Sequence, residues 1–159
     1  MMNVLKKLLL SSLLLTSTSL ALAQDITVNN AWVRFSVKGM TASGAFLDIA
    51  NNSDSSDTLV AVSSPIAEYS EIHESFNKDG MMSMRPLTHG LPLPAKQVTH
   101  LQPGGAHIMF MNLKQPLQAG TSIPIKLLFK HHAPVSLTVP VITGPKQQEP
   151  MQQHQHHVH

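Results

Sequence analysis

The chain has 159 residues, enough for one domain with a buried core, and its formal net charge is only +2 with histidine neutral. So small a charge, without a basic stripe, argues against a protein that binds nucleic acid or an anionic membrane surface. The sequence contains no cysteine, which excludes disulfides and also a blue-copper centre, because that centre needs a thiolate ligand.

The first 23 residues have the composition of a secretory signal peptide. Lys6 and Lys7 form a short positive region, an apolar run follows, and residues 21–23 (ALA) fit a small-x-small cleavage site. The run is too short and too rich in Ser and Thr for a membrane span, although an uncleaved anchor is the alternative. With no cysteine to acylate, a lipoprotein is not expected. We therefore predict a periplasmic protein that begins at Gln24, with no net charge and no membrane span.

The middle of the chain has the pattern of an all-β protein, because short β-prone segments alternate with clusters of turn-forming residues. We predict strands at residues 26–35, 45–50, 58–62, 67–76, 81–87, 97–101, 107–113, 123–129 and 135–142. Many short strands with regular turn signals predict a sandwich or barrel with Greek-key connections. We assign this domain to residues 24–143.

Residues 144–159 form a segment of different composition, with two prolines, five glutamines, four histidines and one methionine. It lacks the apolar residues to bury itself, so we predict a disordered tail. Histidine-rich tracts bind metals, and this predicts a secondary site. Its candidate ligands are Met151, His154, His156, His157 and His159. An expression tag and a solvated tail without a role are the alternatives, although the irregular histidine spacing argues against a tag.

Two imidazoles and two thioethers lie between residues 73 and 109. His107 and Met109 are two residues apart, so their side chains share a face if this segment is a strand. His73 and Met84 flank NKDG, which is typical of a hairpin turn that brings its two arms together. One hairpin and one strand can therefore place four nitrogen and sulfur donors around a single point.

This donor set favours Cu(I). Thioether sulfur selects Cu(I) and imidazole binds copper readily, whereas zinc prefers Cys, His and carboxylate. The set is also neutral, so burial of Cu(I) leaves one positive charge, and burial of Cu(II) would leave two at a larger desolvation cost. Any one of these residues is more often a core or surface side chain than a ligand. The hypothesis of a Cu(I) site therefore rests on the combination of all four residues.

Several neighbouring residues are candidates for supporting roles. Met40, in the KGMTASG loop, is a candidate accessory ligand or simply an exposed side chain. Met111 shares the strand face of His107 and Met109, and we favour packing over metal binding for it. Three carboxylates are candidates for orienting an imidazole through its second nitrogen. They are Asp48, Glu71 and Glu74.

These motifs resemble the PCuA(C) family of periplasmic copper chaperones. The signature of that family is a His, ten residues, a Met, a little over twenty residues, and then His-x-Met. Here ten residues separate His73 from Met84, and twenty-two more precede His107 and Met109. The flanking segments EIHE, DGMMSMRP and LPLPAKQVTHLQPGGAHIMFMNLKQPLQAG are similar as well. The resemblance extends from about residue 32 to residue 141.

The resemblance implies a cupredoxin-like β-sandwich that is not an enzyme and that binds one Cu(I) through these four residues. It implies delivery of copper to the assembly of cytochrome c oxidase, often to its binuclear copper centre. It also implies a second copper, frequently Cu(II), on a His- and Met-rich C-terminal extension, which residues 151–159 resemble. A copper-sequestering tolerance protein with no dedicated acceptor is the main alternative. We expect a monomer, with a metal-bridged dimer as the alternative.

Overall fold

The computed structural model of the protein describes residues 25–144, and this part of the chain contains ten strands and no helix. The strands are β1 (Ile26–Arg34), β2 (Ala42–Asn51), β3 (Asp57–Ser63), β4 (Ala67–Lys78), β5 (Met81–Pro86), β6 (Leu91–Leu93), β7 (Gln97–Leu101), β8 (Ala106–Leu113), β9 (Ser122–Phe129) and β10 (Val135–Ile142). The prediction of an all-β fold is confirmed. The predicted signal peptide and the five candidate tail ligands lie outside the described residues. Between residues 25 and 144 no helix is long and apolar enough to cross a membrane.

The strands form two layers. One layer has the order β5-β4-β8-β2-β1, and β7 pairs with the second half of β2 beside β8. The other layer has the order β10-β9-β3-β6. A short parallel pair between β1 and β10 connects the layers, through Val33 with Val141 and Arg34 with Ile142. The chain passes repeatedly from one layer to the other, as the Greek-key prediction requires.

The core fills the space between the two layers. In β9 every second side chain is buried, which is the pattern of a strand with one face on a core. From the other layer, Ile108 and Phe110 of β8 are fully buried in the same cluster. Because side chains alternate along β8, His107 and Met109 project from the opposite, outer face of their layer. The sandwich therefore presents the predicted donors away from its core.

Nine of the ten strands correspond to predicted ones, although several begin or end at other residues than predicted. β2 begins at Ala42, so part of the KGMTASG segment that we predicted as turn is strand. β6 was not predicted, because the prolines in LPLP argue against a strand. It pairs with β3 at the end of its layer, where Pro92 is tolerated because an edge strand has an unpaired side.

The hairpin between β4 and β5 has the tight turn that NKDG predicts. Asp79 and Gly80 have φ angles of 54° and 84°, and two consecutive positive φ values are typical of a type I′ hairpin turn. The N–H of Gly80 donates to the side-chain oxygen of Asn77 at 2.9 Å. This turn sets the register of the hairpin and places Met84 opposite Ser75.

A buried carboxylate joins β3 to the loop between β9 and β10. The side chain of Asp57 is fully buried, and it accepts hydrogen bonds from the backbone N–H groups of Thr58, His131 and His132. It also accepts one from Nδ1 of His132 at 2.5 Å. The ring of His132 thereby anchors the loop. Burial raises the pKa of Asp57, but these hydrogen bonds outweigh it and hold the pKa below its usual value.

Candidate metal centre

The register of three strands brings the four predicted donors to one region. His73 on β4 lies directly opposite His107 on β8, and their ring centroids are 6.0 Å apart. Met84 on β5 lies opposite Ser75, which shares a strand face with His73. Met109 shares the face of His107. All four side chains therefore belong to the outer face of one layer.

A cavity of about 300 Å³ opens on this face. Met84, His107 and Met109 line it, and so does the accessory candidate Met40. His73 is not among its lining residues, since its ring stands beside the cavity, edge-on to the ring of His107. Three predicted donors thus line the cavity, and the ring of the fourth lies next to that of His107.

Small residues on β2 keep this cavity open. Gly44 lies opposite Met109 and Ala42 lies opposite Met111. A Cβ atom added at Gly44 would lie 3.2 Å from Cζ of Phe46, which is closer than an ordinary van der Waals contact. A larger side chain at this position would therefore displace the Phe46 ring or occupy the cavity. The φ angle of Gly44 is not in the left-handed region, so its backbone conformation does not require glycine. The requirement for glycine here comes from the lack of space for a side chain.

The ring of His107 has one nitrogen fixed and the other free of protein hydrogen bonds. Nδ1 lies 2.9 Å from the carbonyl oxygen of Gly105. A carbonyl oxygen only accepts, so Nδ1 carries the proton and Nε2 has the lone pair. The side chain is buried, with His107 only 5% exposed. Metal-binding histidines commonly donate their second N–H to a carbonyl in this way.

His73 has the opposite arrangement. Its Nε2 lies 2.6 Å from Oε2 of Glu71, and because a carboxylate accepts, Nε2 carries the proton and Nδ1 has the lone pair. This Nδ1 is buried and has no hydrogen-bond partner among residues 25–144. A buried polar atom without a partner is costly and calls for an explanation, and a role in binding a ligand is one of the recognised ones. Of the three carboxylates that we considered, Glu71 is the one that contacts a predicted ligand.

The other candidates have different surroundings. Asp48 contacts His100 at 2.6 Å, and Glu74 pairs with Arg85 at 2.9 Å. Met111 lies opposite Tyr69 and is not part of the cavity lining. Between residues 25 and 144, no group of three or more His, Cys, Asp or Glu side chains is placed to hold a metal ion. The two imidazoles are accompanied instead by thioethers.

Sequence reasoning did not identify Gly44 or Phe46 as part of this site. Alternation along β2 places both on one strand face, but only the pairing of β2 with β8 shows that this face adjoins Met109. The ring centroid of Phe46 lies 4.4 Å from that of Trp32 and 6.2 Å from that of His107. Nothing in the local sequence signals these contacts, which join three separate strands.

The hydrogen bonds of the two histidines predict their tautomers. In long-range ¹H–¹⁵N spectra of the metal-free protein near neutral pH, we expect His73 to carry its proton on Nε2 and His107 on Nδ1. Glu71→Leu should change the tautomer populations of His73 alone, because it removes the acceptor from Nε2. The matched control is Glu74→Leu on the same strand, which should alter neither ring. A proton on Nδ1 of His73 in the unaltered protein would contradict this assignment.

The sequence matches a family and a curated relative. The family model described as "Putative lipoprotein LpqE-like" matches residues 26–141. The "Putative lipoprotein Lxx21020" of Leifsonia xyli subsp. xyli (strain CTCB07) is 38% identical over 119 residues, which are 75% of this chain and 70% of that protein. This sequence contains no cysteine that could be acylated, so the word lipoprotein in these names applies to the relatives and not to this chain.

Solved structures, two of them of PCuAC domains, share the fold. The CuI form of DR1885 from Deinococcus radiodurans is 26% identical with a TM-score of 0.64, over 79% of this chain and 83% of that one. The apo PCuAC domain from PmoF1 is 25% identical with a TM-score of 0.64, over 76% and 96%. The copper-bound PCuAC domain from PmoF2 is 18% identical with a TM-score of 0.63, over 76% and 95%, and shows the fold alone. The predicted cupredoxin-like fold is confirmed.

Proposed function

The chain belongs to the LpqE-like family, and we propose that it is a periplasmic copper chaperone that holds one Cu(I) through His73, Met84, His107 and Met109. In this proposal it binds and transfers the ion, is not an enzyme, and delivers copper to the assembly of cytochrome c oxidase. The CuI form of DR1885, which has the same fold and is 26% identical, supports copper as the cargo.

One observation carries the proposal, namely the strand register that sets His73 opposite His107, beside a cavity that Met84 and Met109 line. The unpartnered Nδ1 of His73 and the free Nε2 of His107 are the imidazole atoms that would bind the ion. With Met84 and Met109 they make a neutral, soft set that suits Cu(I). The carboxylate of Glu71, hydrogen-bonded to His73, would fix the orientation and tautomer of that ligand.

The site is buried on one side and open on the other, as transfer requires. His107 is almost fully buried, whereas Met84 is 59% exposed. An acceptor would therefore approach from the exposed thioether side. Each thioether is a weak, flexible ligand, so the ion can be exchanged one bond at a time.

Two further parts of the proposal concern residues that the structure does not describe. Residues 1–23 would act as the signal peptide that directs the chain to the periplasm. The His- and Met-rich tail from Met151 to His159 would hold a second copper, as Cu(II), and raise the concentration of copper near the main site. A metal-bridged dimer through this tail stays an alternative to the monomer.

Transfer to an acceptor distinguishes a chaperone from a copper-sequestering protein. The Cu(I)-loaded protein is mixed anaerobically with the soluble copper-centre domain of a cytochrome c oxidase, and the two are separated and analysed for copper over time. For a chaperone, the transfer rate should rise with acceptor concentration, because the acceptor enters the site. A rate independent of acceptor concentration would mean that the ion first dissociates, as expected of a storage protein. An acceptor with blocked metal ligands is the control.

A further inference from the structure

A third thioether lines the cavity besides those of Met84 and Met109. It belongs to Met40, which is 46% exposed. Met40 closes a turn by donating its N–H to the carbonyl oxygen of Val37 at 3.1 Å, and Gly39 within that turn has a φ of 96°. The turn ends just before β2, so Met40 stands at the edge of the cavity that lies away from β4.

The candidate donors at this site differ in how deeply they are buried. The imidazole of His107 is almost fully buried, and the side chain of His73 is also largely buried. Met40 and Met84 are both exposed. Met84 belongs to β5 and Met40 to the turn before β2, and these two elements lie on opposite sides of the paired strands β4 and β8. The exposed thioethers of Met40 and Met84 thus lie at the rim, and the buried imidazole of His107 lies on the inner side.

This arrangement leaves one donor more than the four that the proposed site uses. A buried methionine is adequately explained by packing, but Met40 is about half exposed and so contributes little to the core. Its three rotatable side-chain bonds let the sulfur reach over the cavity. A soft donor at the rim of a Cu(I) site has an evident chemical use, which is to hold the ion while other bonds are exchanged.

We propose that Met40 binds Cu(I) transiently, together with Met84, at the rim of the cavity while the ion enters and leaves the site. This inference rests on the proposed Cu(I) function. During release, a bond from copper to the Met40 sulfur forms as a bond to one imidazole breaks, and the imidazole nitrogen keeps its lone pair. The copper stays Cu(I), no proton or electron moves, and the reverse sequence loads the site.

A transient ligand has a distinctive kinetic signature. It stabilises the intermediate of exchange and not the final complex, so its removal slows loading and release by the same factor. The dissociation constant, which is the ratio of the two rate constants, then stays nearly constant. We expect Met40→Leu to lower both rate constants on the order of tenfold, with the affinity for Cu(I) changed less than about threefold. Leucine conserves the volume and apolar character of the side chain and removes only the sulfur.

The test uses the full mature chain loaded with one equivalent of Cu(I) under anaerobic conditions. Loading is followed from the Cu(I) acetonitrile complex, and release is followed by stopped flow into bathocuproine disulfonate. The matched control is Met81→Leu, because Met81 is 71% exposed but does not line the cavity. It should behave like the unaltered protein in both rate constants and in affinity.

Each outcome has a defined meaning. Equal slowing of loading and release in Met40→Leu, absent from Met81→Leu, supports the transient role. Unchanged rate constants in Met40→Leu would overturn it, and so would a loss of affinity as large as that caused by Met109→Leu, since Met40 would then be a permanent ligand. If the unaltered protein takes up no Cu(I), the proposed function itself fails, and this result is distinguishable from the others.

Discussion

Met109→Leu is expected to weaken Cu(I) binding by more than about 100-fold, which exceeds the 10- to 100-fold range typical of losing an outer-shell partner. Met109 lines the cavity and shares a strand face with His107, so its sulfur is one of two thioethers in the proposed donor set. Leucine keeps the volume of the side chain, and the fold should therefore be unaffected. The measurement is an anaerobic competition titration against a chromogenic Cu(I) chelator, on the chain shortened to residues 24–143 so that the tail contributes nothing.

The control for this substitution lies on the same strand. Met111 is two residues farther along the same face of β8 and does not line the cavity. Met111→Leu should keep the Cu(I) affinity of the unaltered protein. If both variants lose affinity equally, or if neither does, then the cavity does not define the ligand set and the assignment of Met109 is wrong.

Asp57→Ala is expected to lower the free energy of unfolding by about 3 kcal/mol, because it leaves several hydrogen-bond donors without an acceptor. Three backbone N–H groups and the Nδ1–H of His132 all donate to this one buried carboxylate. Urea denaturation measures the loss. The control is Asp54→Ala, which removes an exposed carboxylate paired with Lys96 and should change stability by less than about 1 kcal/mol. Equal effects of the two substitutions would contradict the role given to Asp57.

The same carboxylate predicts part of the acid sensitivity of the fold. The pKa of Asp57 is lower in the folded chain than its ordinary value of 3.8, so the unfolded chain takes up a proton more readily. Its stabilising contribution is therefore complete above pH 3.8 and is lost as the pH falls through the folded pKa. Asp57→Asn should remove this part of the acid-induced loss of stability. An unchanged slope below that pH would show that other groups account for it.

The fold was predictable where local patterns and local geometry agree. Alternation of buried and exposed positions identifies strands such as β9 without knowledge of their partners. The turn at Asp79 and Gly80 could be predicted because both residues tolerate positive φ. β6 could not, because its prolines disfavour a strand in isolation, and only the position of β6 at the edge of a layer makes them acceptable.

The sequence suggests candidate residues for the site but does not determine how the strands that hold them pair. Spacing places His107 and Met109 on one face, yet it does not determine which residue of β4 lies opposite them. A shift of one residue between β4 and β8 would turn His73 toward the core. Which ring nitrogen carries the lone pair also depends on the fold, through the contact of His73 with Glu71 and the contact of His107 with the Gly105 carbonyl. The role of His132 was missed for the same reason, since its partner Asp57 is distant in the sequence.

The proposed Cu(I) site is tested most directly by NMR of the methionine methyl groups in the full mature chain, labelled with ¹³C and titrated with Cu(I) without oxygen. With the first equivalent, we predict large shifts of the Met84 and Met109 methyl signals, while those of Met81 and Met111 stay in place. Shifts confined to Met151 in the tail, or no shifts at all, would contradict a copper site built on His73, Met84, His107 and Met109.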